Sequence, residues 1–349
     1  MQLHLDSYGA RLRVKDGLLE VRYAKDGVVQ VQRFSALHVD TIFLRKGTSV
    51  SSDAILLAME HDVTILITNS RGFPVGRFYP HTPNSTTLIQ KAQLMMSIQP
   101  QGMEYARTWI AQKLESQEAL ITRLLNYRST KDRAMYQSKL ERMAQLRQKL
   151  LVMPASAASF RGIEGSAVRI FYYLLGQFLP KRYSFARRSR RPAQDAFNAF
   201  LNYAYALLYV RVEEALLEAG LNPYIGFMHR DHYQYKGLVY DFIEPFRTET
   251  VAVVYRLFTR KKVSDKHTDQ QAGNGVWLNL AGKQLLVPAL KKAYEDKHKL
   301  RDHIRLTEAQ YIRRRASHFA QLLLQYIEAD PILIVEPTNG HRHVHLGHV

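Results

Sequence analysis

Three stretches of the chain carry ionisable side chains where apolar neighbours dominate. Glu164 stands in the run Phe160-Arg161-Gly162-Ile163-Glu164-Gly165-Ser166-Ala167. Its flanking glycines weaken a helix but let another backbone or a bulky ligand come close. His229 directly follows the apolar stretch Ile225-Gly226-Phe227-Met228. Asp241 and Glu244 lie three residues apart in Leu238-Val239-Tyr240-Asp241-Phe242-Ile243-Glu244-Pro245-Phe246-Arg247. That spacing predicts both carboxylates on one side of a helical turn, with Phe242, Ile243 and Phe246 turned to the core. Taken singly, a helical glutamate is ordinarily surface decoration, and paired acids also suit a helix N-terminus, where the dipole favours them. Together, a carboxylate, an imidazole and a second carboxylate from three segments make a divalent-metal site with open positions. Mixed oxygen and nitrogen donors suit Mg²⁺ or Mn²⁺, and zinc with a histidine and two carboxylates is also chemically possible. Such an ion would hold a phosphoryl oxygen, neutralise charge in an in-line transition state and promote ionisation of an attacking hydroxyl.

A second chemical signal is the segment 181–191, where Lys181, Arg182, Arg187, Arg188, Arg190 and Arg191 are interleaved with Tyr183 and Phe185. The cations can neutralise phosphates and the rings can stack on bases, although a solvated inter-helix loop has the same composition. The whole chain agrees in sign: 49 basic against 31 acidic residues give a formal charge of +18, which points to an anionic polymer or surface. The cluster has no amphipathic helical pattern, so a membrane surface fits it poorly. With no cysteine in 349 residues, disulfides, thiolate metal sites and thiol nucleophiles are excluded, and any metal must be held by oxygen and imidazole. The amino terminus shows no secretory pattern and no apolar run is long enough to span a bilayer, so the expected location is the cytoplasm.

The elements that must position these residues change character along the chain. Leu19, Val21 and Tyr23 alternate with Glu20 and Arg22, Asp26-Gly27 turns the chain, and Val29 and Val31 alternate with Gln30 and Gln32, which spells a hairpin. Asp16-Gly17 marks an earlier turn of the same kind. A short helix starts at Ser52 or Asp53 and runs through Ile55, Leu56 and Met59, and 63–68 and 75–79 read as strands around Arg71-Gly72. The segment 80–87, rich in proline and small polar residues, is the linker. Beyond it the apolar period lengthens to that of helices, at 103–125, 136–151, 159–179 and 195–219, the last closed by Gly220 and Pro223. The expected fold is therefore α+β: a small β-rich, sandwich-like domain over 1–84, then a larger all-α catalytic and DNA-binding domain over 85–335, with 336–349 a mobile tail.

At this point the residues resemble a known family, the catalytic integrase subunit of CRISPR spacer acquisition, also called the CRISPR-associated endonuclease. The likeness covers nearly the whole chain. It includes Ser51-Ser52-Asp53-Ala54-Ile55-Leu56-Leu57, Glu164 in its Glu-Gly-Ser-Ala setting, and Arg191-Pro192 leading to Asp195, Asn198 and the run Leu201-Asn202-Tyr203-Ala204-Tyr205. Gly226-Phe227-Met228-His229 and Tyr240-Asp241-Phe242-Ile243-Glu244-Pro245-Phe246-Arg247 follow, with Val276-Trp277-Leu278 before Gly282-Lys283 as a weaker segment. Any one motif is weak, and four in order at compatible separations are specific. The resemblance implies that Glu164, His229 and Glu244 ligate the metal, with Asp241 in or beside the site. It also implies a homodimer formed through the β-domains, assembled with a small ferredoxin-like partner protein, and it leaves Asn198, Tyr203 and Tyr205 structural or near DNA. Gly237 and Thr248 depart from the pattern, standing where many members have a serine and a proline. The end His341-Arg342-His343-Val344-His345-Leu346-Gly347-His348 is no feature of the family and reads as a tail able to bind stray metal.

The function expected on this reading is insertion of short double-stranded DNA fragments into a CRISPR repeat array. The 3′-hydroxyl of the fragment attacks a phosphodiester, with Glu164, His229 and Glu244 on Mg²⁺ or Mn²⁺, Asp241 in support, and Arg187, Arg188, Arg190 and Arg191 on phosphates. A metal-dependent nuclease acting on branched or single-stranded DNA would use the same residues with water as nucleophile. A non-enzymatic basic DNA-binding scaffold would use only the charge.

Overall fold

Alternating residues and tight turns build the first eighty residues, as a computed structural model shows. It describes residues 2–25, 27–39, 41–61, 63–70, 74–78, 86–183, 185, 187–229, 235–271, 275–296, 299–301 and 304–328. The strands are β1 (Gln2–Leu5), β2 (Arg11–Lys15), β3 (Leu18–Lys25), β4 (Val28–Phe34), β5 (Thr41–Arg45), β6 (Ser49–Val50), β7 (Thr64–Thr68) and β8 (Pro74–Phe78). One sheet runs β1-β5-β7-β8, with parallel pairing except for antiparallel β8. The other runs β4-β3-β2-β6, a meander to which β6 adds in parallel. The β2–β3 turn uses Asp16 and Gly17 at φ 53° and 71°, the two positive angles a two-residue hairpin loop demands. Leu3, Leu5, Ile42, Leu44 and Ile65 of the first sheet and Leu12, Leu19 and Val21 of the second bury into one core. Helix α1 (Ser52–Glu60) adds Ala54 and Ala58 to that core, and the Ser51 hydroxyl accepts the Ala54 N–H to cap it.

Alternation sets the faces of the strands in this region without setting how exposed each residue is. Glu20 keeps to the polar side of β3, as alternation predicts, and its side chain is fully covered there because Arg13, Arg22 and Arg33 from three adjacent strands close over it at 2.8–3.0 Å. Loss of water would raise its pKa, but the three guanidiniums outweigh that and push it down to about 2. Strand β4 alternates in sequence but lies at the sheet edge, leaving Val28, Val29 and Val31 all about half exposed or more at 58%, 66% and 47%. The turns at Asp26 and Arg71-Gly72, the linker up to residue 85 and the His-rich tail fall outside the described residues.

From residue 86 the chain is mostly helical: α2 (Thr86–Ile98), α3 (Pro100–Leu125), α4 (Thr130–Val152), α5 (Ala157–Gln177), α6 (Ala196–Glu218), α7 (Gly237–Phe242), α8 (Arg247–Thr259), α9 (Leu280–Lys291) and α10 (Glu308–Glu328). Two short hairpins interrupt what was expected to be all helix, β9 (Thr268–Gln271) with β10 (Gly275–Leu278) and β11 (Lys299–Arg301) with β12 (Ile304–Leu306). Helix α3 starts three residues earlier than its apolar period suggests, since Pro100 at its first position has no N–H to leave unsatisfied. Helix α4 starts six residues early, capped by the Ser129 hydroxyl on the Asp132 N–H, because its first turns are polar and periodicity cannot mark them. No helix among the described residues is long and apolar enough to cross a membrane.

By density of contacts the chain forms two compact units. One comprises Met1–Asn84, Leu179–Val210 and Thr250–Leu290, and the other Ser85–Phe178, Arg211–Glu249 and Lys291–Val349. The basic segment 181–191 belongs to the first unit, whereas Glu164, His229, Asp241 and Glu244 all belong to the second.

Candidate active site

An aromatic cluster fixes the segments that carry His229, Asp241 and Glu244. Trp109 of α3 packs on Phe227 at 5.9 Å and meets Phe242 of α7 and Phe319 of α10 edge-on, each at 5.3 Å between ring centres. Phe227 lies two residues before His229, and Phe242 lies between Asp241 and Glu244, so this core sets the placement of both segments. Helix α5 is held from another side. Arg107 of α3 donates to the Leu150 and Leu151 carbonyls, satisfying the end of α4, and its guanidinium lies 4.9 Å from the ring centre of Phe160, one turn before Glu164.

On this frame Glu164 and Glu244 converge on Lys113 of α3. The Lys113 ammonium pairs with Glu164 Oε1 and lies 2.5 Å from Glu244 Oε2, while Arg247 Nε donates to Glu244 Oε1 at 2.8 Å. Lys113 and Glu244 are almost completely buried, and Glu164 is 21% exposed. That close ammonium contact is what serves the buried Glu244 Oε2. Burial by itself would raise the Glu244 pKa, but Arg247 and then Lys113 overcome it and push it down to about 2. Burial would likewise lower Lys113, and the two glutamates hold it above its ordinary value instead. Beside this group the Ser116 and Thr248 hydroxyls bond at 2.7 Å, and Gln117, one turn from Lys113, is buried with Oε1 unpartnered. Thr248 thus puts its hydroxyl to use beside the ion pairs.

Asp241 takes a different role from Glu244. Helix α7 ends at Phe242, and a tighter turn over Glu244–Phe246 follows, so the two acids go to separate partners. Asp241 is fully buried; its Oδ2 accepts the Phe227 and Met228 N–H groups at 2.7 and 3.0 Å, and Oδ1 accepts the His229 N–H at 3.3 Å. The same Oδ1 meets His229 Nδ1 at 2.5 Å. That bond fixes the imidazole through Nδ1 and leaves Nε2 as the nitrogen that could serve a ligand. The loop is also locked by glycine. A Cβ on Gly237 would strike the His229 carbonyl oxygen, and one on Gly226 would come within 2.6 Å of that oxygen and of the Gly237 backbone. Gly237→Ala should therefore displace the histidine loop and destabilise the protein by about 1–3 kcal/mol, read as a lower melting temperature. An unchanged melting temperature would show that the interlocked backbones tolerate the methyl group.

Among the described residues no three histidine or acidic side chains already stand together as a ligand set. The structure brings Glu164 and Glu244 together through Lys113, and joins His229 to Asp241. The carboxylate pair nevertheless fits a cation, because both groups close on one positive charge. Glycines on α5 leave this edge open, since an added Cβ at Gly162 or Gly165 would meet nothing within 4 Å. Lys113 and Arg247 were not singled out from the sequence. Lys113 had a readable signal, because it falls in phase with Trp109, Ile110, Leu114, Leu120 and Ile121, on the buried face of its helix.

The basic segment divides in two. Lys181, Arg182, Arg187, Arg190 and Arg191 are exposed, Arg182 pairing with Asp265 at 2.9 Å. Arg188 turns inward: it donates to Asn198 Oδ1 at 2.9 Å and Asn202 Oδ1 at 2.6 Å, and its guanidinium lies 5.6 Å from the Tyr205 ring centre. Asn198, fully buried, also accepts the Ser189 N–H and donates to the Arg187 carbonyl and Asp195, so it pins the loop backbone. The two interleaved rings do not offer free faces as their spacing suggested. Phe185 stacks on Phe197 at 4.8 Å, and Tyr183 donates its hydroxyl to the Val263 carbonyl while packing edge-on against Phe258, because both rings complete the apolar core beneath the loop.

Comparison with known proteins places these features in context. The family model of CRISPR associated protein Cas1 matches residues 3–292. The CRISPR-associated endonuclease Cas1 2 of Saccharolobus solfataricus is 30% identical over 245 residues, covering 70% of this chain and 71% of the relative. The CRISPR-associated endonuclease Cas1 1 of Thermus thermophilus is 31% identical over 295 residues, covering 82% and 84%. Among solved structures, a casposase bound to integration product superposes with a TM-score of 0.80 at 20% identity, covering 96% of this chain and 94% of that one. A CAS1 protein from Thermotoga maritima superposes at 0.74 and 19% identity, covering 93% and 97%. At such identities the structural likenesses speak for the fold.

Proposed function

The chain belongs to the CRISPR-associated protein Cas1 family, and from that premise we propose that it is an integrase that joins short DNA fragments into a CRISPR repeat array. The 3′-hydroxyl of a double-stranded fragment attacks a phosphodiester at the repeat edge; the new P–O bond forms as the old one breaks, so no nucleotide cofactor is consumed. The observation that carries this reading is the Glu164–Glu244 pair closing on one cationic centre. Glu164, His229 and Glu244 would hold Mg²⁺ or Mn²⁺. The ion would supply charge stabilisation at a phosphoryl oxygen and acidify the attacking hydroxyl. Asp241 orients the imidazole, and Arg247 holds one Glu244 oxygen so that the other stays turned to the pair.

Lys181, Arg182, Arg187, Arg190 and Arg191 would grip the phosphates, with Arg188 shaping the loop from within. Asn198→Ala leaves all five exposed cations in place but frees the loop. Duplex affinity should then fall several-fold with little change in its salt slope, as measured by fluorescence anisotropy across a salt series. A markedly shallower slope would mean that Asn198 had been holding phosphate-contacting charges rather than loop shape. Residues 1–84 are assigned to homodimerisation, supported by the exposed valines of edge strand β4. A small ferredoxin-like adaptation protein is the proposed partner, and the cytoplasm the proposed compartment.

The deciding experiment supplies the protein and that partner with labelled fragments and a supercoiled repeat-array plasmid. Covalent joining, lost in Glu164→Ala, His229→Ala and Glu244→Ala while DNA binding persists, is the expected result. Cleavage without joining would make the protein a nuclease that uses water. Strand chemistry unaffected by the three substitutions would leave a DNA-binding scaffold.

A further inference from the structure

The charges around Glu244 balance before any ion or DNA arrives. Glu164 and Glu244 contribute two negative charges, and Lys113 and Arg247 contribute two positive ones, all within direct contact. Three of these four side chains are at most 12% exposed, so water screens them little. A divalent ion added to such a group faces two costs. It must displace the Lys113 ammonium from between the carboxylates, and it leaves two uncompensated positive charges in a poorly screened place. A phosphodiester relieves both, because its negative charge offsets the ion and offers the displaced ammonium a new partner.

We infer that Lys113 acts as a resident counter-ion that makes metal capture conditional on DNA. The inference rests on the proposed metal role of Glu164 and Glu244. In DNA-free protein the ammonium holds the carboxylates together and the divalent ion binds weakly. When a strand is seated, ion and phosphate enter as a balanced pair and each strengthens the other. The catalytic centre is thereby kept without its metal until a strand is in place. Lys113 is a positioning residue here, acting through the two glutamates.

The test is Mn²⁺ binding by titration calorimetry to the full chain, with and without a duplex whose 3′ ends are dideoxy-terminated so that no joining occurs. A Glu164→Ala/Glu244→Ala variant gives the background from other sites, including the tail histidines. Wild-type protein should bind Mn²⁺ about 5- to 150-fold more tightly with the duplex present, and Mn²⁺ should tighten duplex binding by the same factor. Lys113→Met, checked for folding by circular dichroism, should bind Mn²⁺ more tightly than wild type without DNA and show a smaller effect of the duplex. If that variant does not fold, the reciprocal wild-type measurement decides alone. Site-specific Mn²⁺ binding of equal strength with and without DNA would overturn the inference while leaving the metal site standing, as would a folded Lys113→Met with unchanged Mn²⁺ affinity. No site-specific Mn²⁺ binding under either condition would remove both.

Discussion

Glutamine in place of Glu244 is expected to lower strand joining by about 10²- to 10⁴-fold, corresponding to the several kcal/mol a metal-held carboxylate contributes to a phosphoryl transition state. The substitution is nearly isosteric, so the surrounding helices have no steric reason to move. It keeps an oxygen for Arg247 but sets an amide beside Lys113 and removes one of two charges that neutralise a buried ammonium. A loss of stability on the order of 3 kcal/mol should accompany the loss of activity. The pH dependence has a definite sign. The Glu244 carboxyl is pushed from 4.5 down to about 2 in the folded protein, so its contribution is present above the unfolded value and fades as pH falls from there toward the folded one. The gap in stability between wild type and Glu244→Gln should therefore be widest above pH 4.5 and narrow on acidification through that window. Chemical denaturation at several pH values measures it, beside a joining assay at neutral pH. Full joining by the glutamine variant would remove Glu244 from the metal site.

Asp241 offers the second large effect, of a different kind. Its carboxylate serves three backbone N–H groups and an imidazole, all from the segment ending at His229. Asp241→Ala leaves those donors buried without acceptors, at about 1–3 kcal/mol for each one stranded, a large share of the 5–15 kcal/mol by which domains are stable. The alanine variant should melt far below wild type, or fail to fold. Asp241→Asn separates structure from chemistry, because its carbonyl oxygen still accepts backbone N–H groups while its charge on the imidazole is gone. That variant should recover much of the stability and still join strands about 10–100-fold more slowly, as loss of a charged partner behind a ligating histidine does. Wild-type joining by a folded Asp241→Asn would show that the imidazole needs position alone.

These two acids also mark how far local pattern reaches. Their spacing of three predicts a shared helical side, and in the protein a break after Phe242 sends one to the histidine loop and the other to α3. The pattern shows that both are unusual. It cannot show that they differ, because Phe227, Met228 and Lys113, which separate their roles, lie far away in the chain. Segment 181–191 fails in the same way. Its composition reads as six cations with two rings for nucleic acid, but Asn198 and Asn202 claim Arg188, and Phe197 and Phe258 claim the rings.

The order of strands before helices, the β2–β3 turn and the β3–β4 pairing, the ends of α5 and α6 to within two residues, and the identity of the unusual acids were all readable from the chain. Each follows from neighbours a few positions apart: alternation, helical period, turn dipeptides and caps. The tertiary structure alone decided that a lysine from the buried face of α3 stands between Glu164 and Glu244, that Asp241 serves a loop and an imidazole, and that Glu20 lies under three arginines. Those outcomes depend on burial and on which distant segments meet. Once water is excluded, a charge must take whatever opposite charge or hydrogen-bond donor the fold brings within reach.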